Sequence, residues 1–531
     1  MRIVLINWAL LRDGASRGGG VNGYCQGLAR ELVRRGHDVV SVCGGMRFEP
    51  SPEGPDRPGA CRIDRLDDWE GVRVYEVVNS PVLAPSLAQF RDPLGEIAAP
   101  ELEARVGEFI RDLAPDVVHV HNIEGFSAGC IAAVRSAAPA ARVIFSLHNY
   151  HTICPQVYLM QGHRRPCWTF ENGNACSGCI PAPDPAHERA RLMARGGSGT
   201  THVGAPPAPD GEAGRARADK PGLFAAIRGW AARLGRTPEL PAWPPRFVPG
   251  RGPHVWYAED VPAWRPLLNV IRPEAPSDKP PNEYAARRAA MVAMLNSCDR
   301  VLAVSEFVAR KFEAMGVLRS RLTTLHIGSR MAELARKRSP PPPLCEPGSA
   351  VLLRPIRMAF MGYNNWYKGL PMLADALELL TPEVLGCIDL HVYALEGGQM
   401  EPQFRELEPR LGGLTLRHGY RYEEIPSLLA GIDVGLVTSV WWDNAPQTVM
   451  EFQACGVPVL AADLGGIPDF VRDGVNGVLY RGNDRWDLAR RIAWLTANPG
   501  VIAGLRAGVR PPKGIAEHAG EMEQLYLDRL S

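Results

Sequence analysis

Two successions of short apolar runs alternating with amphipathic stretches restrict the fold of this 531-residue chain more than any other feature, and the second begins after Ser339-Pro340-Pro341-Pro342-Pro343. In the first, residues 2–10 read as a strand, 14–23 as a glycine-rich loop, 24–35 as a helix closed by Gly36, and 37–43 as a strand. A strand that returns parallel to its predecessor needs a crossover, and the helix supplies one, so the pattern predicts a parallel sheet. Further strands are expected over 72–78, 117–121, 143–147, 300–304 and 322–327, with helices over 100–113, 127–137 and 283–295 and one capped by Ser305. Beyond the prolines, strands at 357–361, 389–393, 414–418, 434–437 and 457–461 alternate with helices at 370–380, 425–430 and 446–455. The expected class is α/β, with two doubly wound parallel-sheet, Rossmann-like domains facing a cleft. Open sheets of this kind bind ligands at the C-terminal ends of their strands.

The domains are placed at 1–335 and 357–512, with a proline-rich linker at 336–356 and a last helix within 513–531. Glycine (54) and proline (48) exceed ordinary usage, and much of the surplus lies in 180–281, read as a partly disordered insertion with one helix at 222–234. The formal net charge of +1 gives no global field for holding nucleic acid or an anionic membrane. No apolar run reaches the roughly 18 residues that span a bilayer. The N-terminal segment reads as a buried strand and not as a signal peptide, so a cytoplasmic location is expected. Peripheral membrane contact through the arginine-bearing insertion stays open.

Three motifs carry chemistry. Ser16-Arg17-Gly18-Gly19-Gly20-Val21-Asn22-Gly23 lies between a strand and a helix, where a backbone without Cβ atoms and the free N–H groups of a helix end can meet a phosphate. A flexible turn is the other reading. Gly362-Tyr363-Asn364-Asn365-Trp366-Tyr367-Lys368-Gly369 also joins a strand to a helix, and the chain has only six lysines. Lys368 is either a point charge for a diphosphate or a solvated loop lysine. In the third motif Pro446 opens a helix whose first N–H groups, near Gln447 and Thr448, face the cleft. Asp443 and Glu451, eight positions apart, either take sugar hydroxyls on both sides of a phosphate or serve as a cap and a surface acid.

Together these stretches resemble a retaining glycosyltransferase of family 4, with the two-domain GT-B architecture. The resemblance rests on Gly18-Gly19-Gly20, Arg34 to Val39, Asp116 to Asn122, His148, Val304-Ser305-Glu306, Gly362, Lys368-Gly369, Glu451 to Pro458, Asp463 to Pro468 and Asp473 to Gly477. It implies transfer of a sugar from a nucleotide-diphosphate sugar to a glycan, lipid-linked or small-molecule acceptor, with the anomeric configuration kept. It also implies that Lys368 binds the donor diphosphate, Glu451 the ribose and Asp443 the sugar hydroxyls, and that His148 stands at the reacting face. Gly19, Gly20, Gly362, Tyr363, Asn364, Gln447 and Thr448 complete the donor set. Asn22, His121, Asn122, His148 and Asn149 are expected on the acceptor side. Family members usually carry Glu where Asp443 stands and a basic residue where Tyr363 stands. The last helix is expected to pack back towards the first domain. No Asp-x-Asp triplet is present to bridge a metal to a diphosphate, so a metal-independent reaction without a cofactor is expected. A GT-B epimerase or hydrolase and a catalytically inactive sugar-nucleotide-binding protein are the alternatives.

Cys154, Cys167, Cys176 and Cys179 follow His148, the last two as a CxxC pair. Four such ligands match a closed structural zinc site at residues 154–179. An iron–sulfur centre and free or redox-paired thiols are the other readings.

Overall fold

The computed structural model describes residues 1–86, 90–163, 165–180, 184–194, 269, 271, 276–335, 341–346, 351–363, 366–395 and 400–528. The expected helix at 222–234 and most of the insertion lie outside the described residues.

The first sheet has eight strands in the order Leu322–Thr324, Arg300–Ala303, Arg142–Leu147, Val117–Val120, Arg2–Ile6, Asp38–Arg47, Arg73–Val78 and Arg62–Arg65. All neighbours are parallel except the last pair, an antiparallel edge. The second sheet has six parallel strands, ordered Gly413–His418, Ile388–Leu395, Ile356–Tyr363, Val434–Val437, Val459–Asp463 and Gly477–Arg481. Runs such as Ile3-Val4-Leu5 and Val117-Val118 are buried on both faces, which is why they read as continuous apolar stretches and not as alternation. In each sheet the strand order reverses beside one strand, Arg2–Ile6 and Ile356–Tyr363. The loops leaving those two strands are the glycine-rich loop and the Lys368 loop, so both motifs stand at switch points.

The sequence pattern predicts a loop over 14–23, whereas the chain forms a short turn of helix over Leu11–Ser16 and then the helix Gly19–Arg34. Gly18 makes this early start possible. Its φ of 83° places it in the left-handed region, and a Cβ there would lie 2.8 Å from that of Ala9. Asn22 then locks the turn. Its amide nitrogen donates to the carbonyls of Leu10, Gly14 and Arg17 at 2.9–3.0 Å, and its oxygen accepts from Asn7 at 3.1 Å.

After the second sheet, the helix Ile515–Leu527 lies against the helix Gly19–Arg34 of the first half. The Tyr24 hydroxyl and His518 Nε2 are 2.8 Å apart, as are Tyr526 Oη and His119 Nδ1. Glu523 accepts from Arg35 at 3.0 Å and lies 2.8 Å from His37 Nε2. Among the described residues no helix is long and apolar enough to cross a membrane.

One buried ion pair fixes the segment after His148. Arg287, on the helix Glu283–Ser297, donates through Nε to Glu96 at 2.7 Å and through Nη2 to the His151 carbonyl at 2.9 Å. Both side chains are 1% exposed. Burial pushes the Glu96 carboxyl up, but Arg287 and then His151 outweigh it and hold Glu96 below its ordinary value. Removing one member leaves a buried charge without a partner. Glu96→Ala is therefore expected to cost about 3–5 kcal/mol in urea unfolding, with the strength of the pair fading as pH falls through the lowered pKa of Glu96. An unchanged midpoint would show that the pair contributes nothing.

Candidate functional site

The second half supplies most of the charged groups of the site. Lys368 closes the short turn Trp366–Lys368 after the strand Ile356–Tyr363. Gly369 follows with φ 76°, and a Cβ there would lie 1.7 Å from the Thr438 carbonyl. The turn is thus pressed onto the end of the neighbouring strand, where the Thr438 hydroxyl donates to the Lys368 carbonyl at 3.0 Å. The Lys368 ammonium reaches across to Asp443 Oδ2 at 2.9 Å, and Ser439 Oγ donates to the same oxygen at 3.1 Å. Asp443 is 5% exposed.

The helix Gln447–Ala454 begins at Pro446, with no side chain capping it. Its first N–H groups therefore lack intrahelical acceptors and carry the positive end of the helix dipole. Glu451 lies one turn in and is buried. Burial pushes its carboxyl up to about 7, and Lys368 offsets part of that rise. Tyr420 and Tyr422 stand near it, their hydroxyls pushed up first by burial and next by the charge of Glu451.

The first half brings its glycine turn to the same place. Gln447 Nε2 donates to the Gly20 carbonyl at 2.8 Å, and a Cβ on Gly20 would lie 2.9 Å from the Gln447 side chain. The Tyr363 hydroxyl donates to the Ala15 carbonyl at 3.1 Å, and a Cβ on Gly19 would come to 3.9 Å from that hydroxyl. Tyr150, two residues after His148, donates to the Trp442 carbonyl at 2.9 Å. The structure therefore gathers Gly19, Gly20, Tyr363, Lys368, Asp443, Gln447 and Glu451 about one cleft. Gly362, with φ 146°, is the penultimate residue of the strand before them, and Thr448 follows Gln447. Asn364 lies outside the described residues.

His148 belongs to a stack of rings. Its Nε2 is 3.2 Å from Nδ1 of His121, and Tyr24 lies against it with ring centroids 4.9 Å apart. Burial and then the charge of His518 push His148 down to about 3, so the imidazole is neutral at physiological pH. His121 is pushed well down by burial and by the histidines around it. Asn122 and Asn149 are tied to Glu124: its Oε1 accepts from their amides at 2.9 and 3.4 Å, and its Oε2 accepts from the Ser86 N–H at 2.6 Å. Asn22 departs from its expected place on the acceptor side. It is wholly buried, and its hydrogen bonds are spent within the glycine loop. Sequence reasoning missed Glu124, Ser439 and His518, because a lone acid, serine or histidine in an apolar stretch carries no spacing signal.

The four clustered cysteines line one cavity with Gln156, Met160 and Arg288. None of the four is in a disulfide among the described residues. Cys179 accepts from the Gly162 N–H at 3.1 Å, and Cys167 donates to the Thr169 carbonyl at 3.4 Å. Burial pushes Cys179 well above its ordinary value, and the other three cysteines add to the rise. Among the described residues no group of three or more His, Cys, Asp or Glu side chains is arranged to hold a metal ion, so the zinc expectation for Cys154, Cys167, Cys176 and Cys179 finds no support.

Known proteins agree with this architecture. Residues 19–176 match the family described as glycosyl transferase 4-like domain, and residues 355–498 match glycosyl transferases group 1. The chain belongs to the family 4 glycosyltransferases and has the GT-B fold. It is 43% identical over 187 residues to the D-inositol 3-phosphate glycosyltransferase of Xylanimonas cellulosilytica, covering 32% of this chain and 41% of that protein. To the enzyme of the same name from Thermobifida fusca it is 31% identical over 197 residues, covering 34% and 40%. The chain thus aligns with less than half the length of these relatives. In fold it is similar to the sucrose-phosphate synthase of Thermosynechococcus elongatus, with a TM-score of 0.55 at 14% identity over 99% of this chain and 98% of that one. It is also similar to Anabaena Alr3699/HepE in complex with UDP and glucose, with a TM-score of 0.52 at 13% identity over 100% of both chains.

The elevated Glu451 makes a pH-dependent site. Its stabilising neutral form is fully present below the unfolded carboxyl pKa, and that contribution is lost as pH rises through about 7. Glu451→Gln is therefore expected to abolish this loss and to be no less stable than the parent at pH 8. Thermal unfolding at pH 5, 6, 7 and 8 checks the sign, and a variant markedly less stable than the parent at pH 8 would refute the assignment.

Proposed function

We propose that this protein transfers a sugar from a nucleotide-diphosphate sugar to an acceptor hydroxyl with retention of anomeric configuration. The observation that carries the reading is the meeting of Lys368, Asp443 and Glu451 with two helix N-termini, one from each half, joined by the Gln447 contact to Gly20. A diphosphate placed there meets an ammonium and two sets of backbone donors. Ionised Glu451 accepts the ribose hydroxyls, and Asp443 lies towards the sugar.

As the bond to the diphosphate breaks, the sugar becomes oxocarbenium-like and the departing oxygens gain negative charge. Lys368 and the helix ends at Gly19 and Gln447 stabilise those oxygens where charge develops. Neutral His148 can hydrogen-bond a sugar hydroxyl without placing positive charge beside the oxocarbenium. In this account the leaving phosphate takes the proton of the incoming acceptor on the same face, so no separate general base is required. Donation by Gln447 to Gly20 must break or shift when the diphosphate enters. The acceptor is a glycan, a lipid-linked glycan or a small molecule, and UDP-glucose is the first donor to test because a fold neighbour was solved with it.

The test is incubation with UDP-glucose, UDP-galactose, UDP-N-acetylglucosamine and GDP-mannose in the presence of mono- and oligosaccharide, inositol phosphate and lipid-linked acceptors. Acceptor-dependent release of nucleoside diphosphate, with a product of unchanged anomeric configuration by NMR, is expected. An isomerised donor, acceptor-independent hydrolysis, or binding without turnover would each replace the reading. Lys368→Ala is expected to lower kcat by roughly 100- to 1,000-fold, the scale on which a single preorganised charge-stabilising donor acts.

A further inference from the structure

The loop that carries Asp443 is held from several directions. The Val440 N–H donates to the Tyr367 carbonyl at 2.9 Å, and the Val440 carbonyl accepts from Asn483 at 2.9 Å. The Gly466 N–H donates to the Asp443 carbonyl at 2.7 Å, and Tyr150 reaches the Trp442 carbonyl from the other half. Two glycines press against it. A Cβ on Gly465 would lie 2.7 Å from the Asp443 backbone, and one on Gly466 would lie 2.1 Å from the Asn444 carbonyl. A loop so confined has little freedom to turn a side chain towards a new partner.

Within that loop Asn444 is 3% exposed, and neither its amide nitrogen nor its amide oxygen has a hydrogen-bond partner among the described residues. A buried amide left unpaired is destabilising at each of its groups, so both atoms call for a partner that enters the site. The Trp441 indole N–H also has no partner among the described residues, but it can only donate. Asn444 offers a donor and an acceptor together, directly after the carboxylate that holds Lys368 and three residues before the helix at Gln447.

The chemistry of the missing partner follows from that pair. A phosphate oxygen accepts only, and would leave the amide oxygen facing negative charge. A cation would meet the oxygen only. A hydroxyl donates and accepts, so it satisfies both atoms. We infer that Asn444 binds a hydroxyl of the transferred sugar and discriminates among donor sugars at that position, with Asp443 committed in part to positioning Lys368. This rests on the donor site proposed above.

The experiment compares Asn444→Leu and Asn444→Ala with the parent in binding of the most active nucleotide sugar and of its nucleoside diphosphate alone, together with thermal unfolding. The expected result is that nucleoside diphosphate affinity is unchanged and nucleotide-sugar affinity falls roughly tenfold to a hundredfold. The unfolding midpoint of Asn444→Leu should hold or rise, because an unpaired buried amide has been replaced by an apolar group of similar size. Donors lacking single hydroxyls add a second reading: the parent should reject one of them, and Asn444→Leu should lose that discrimination. Equal affinity of variant and parent for the nucleotide sugar, or a fall in midpoint with donor discrimination intact, would overturn the inference while leaving the donor site standing. Failure of the parent to bind any nucleotide sugar or nucleoside diphosphate would overturn both.

Discussion

The structure of the cleft turns on one ion pair, Lys368 with Asp443. A lysine placed for a diphosphate must be charged and must also be largely withdrawn from water, and those demands conflict unless an acid stands beside it. Asp443 meets the demand at 2.9 Å, with the Ser439 hydroxyl on the same carboxylate oxygen. The short Asp side chain keeps the carboxylate close to the loop that bears it. The acid and the lysine come from loops after adjacent parallel strands, Val434–Val437 and Ile356–Tyr363, so the sheet register sets their spacing. Gly369, pressed against the Thr438 carbonyl, allows the lysine turn to sit that low.

The rest of the site is arranged around that charge. Glu451 is buried and unpaired enough for its carboxyl to rise to about 7, with Lys368 as the tempering influence. The helix ends at Gly19 and Gln447 supply donors without further side-chain charge. Under the proposed function this is how a chain of net charge +1 would hold a strongly anionic ligand. Tyr363, at the end of the strand Ile356–Tyr363, donates to the Ala15 carbonyl and so links the two halves at the mouth of the cleft. In this chain that position ties the halves together and adds no charge.

Much of this architecture was legible in the sequence, because parallel strands buried on both faces leave uninterrupted apolar runs and glycines mark the turns between them. The position of Lys368 among only six lysines and the spacing of Asp443 to Glu451 were likewise readable. The early start of the helix at Gly19 was not, since it depends on Gly18 fitting against Ala9, a contact across the turn. The role of Asn22 was misread for the same reason: a polar residue after a glycine loop looks free until its three carbonyl partners are seen. Four cysteines of suitable spacing match a metal ligand set in number, but ligand count alone does not fix how the sulfurs are arranged in space. Glu124 and Asn444 have no spacing signature, and only burial and hydrogen-bond accounting in three dimensions brings them out.

The most direct measurement of the central claim is a crystal structure of the full chain with UDP-glucose or the donor found by turnover. The account predicts Lys368 and the N–H groups at Gly19 and Gln447 on the diphosphate, Glu451 on the ribose hydroxyls, and Gln447 released from the Gly20 carbonyl. A nucleotide bound elsewhere, or in the cleft with Glu451 turned away from the ribose and Lys368 off the phosphates, would contradict it.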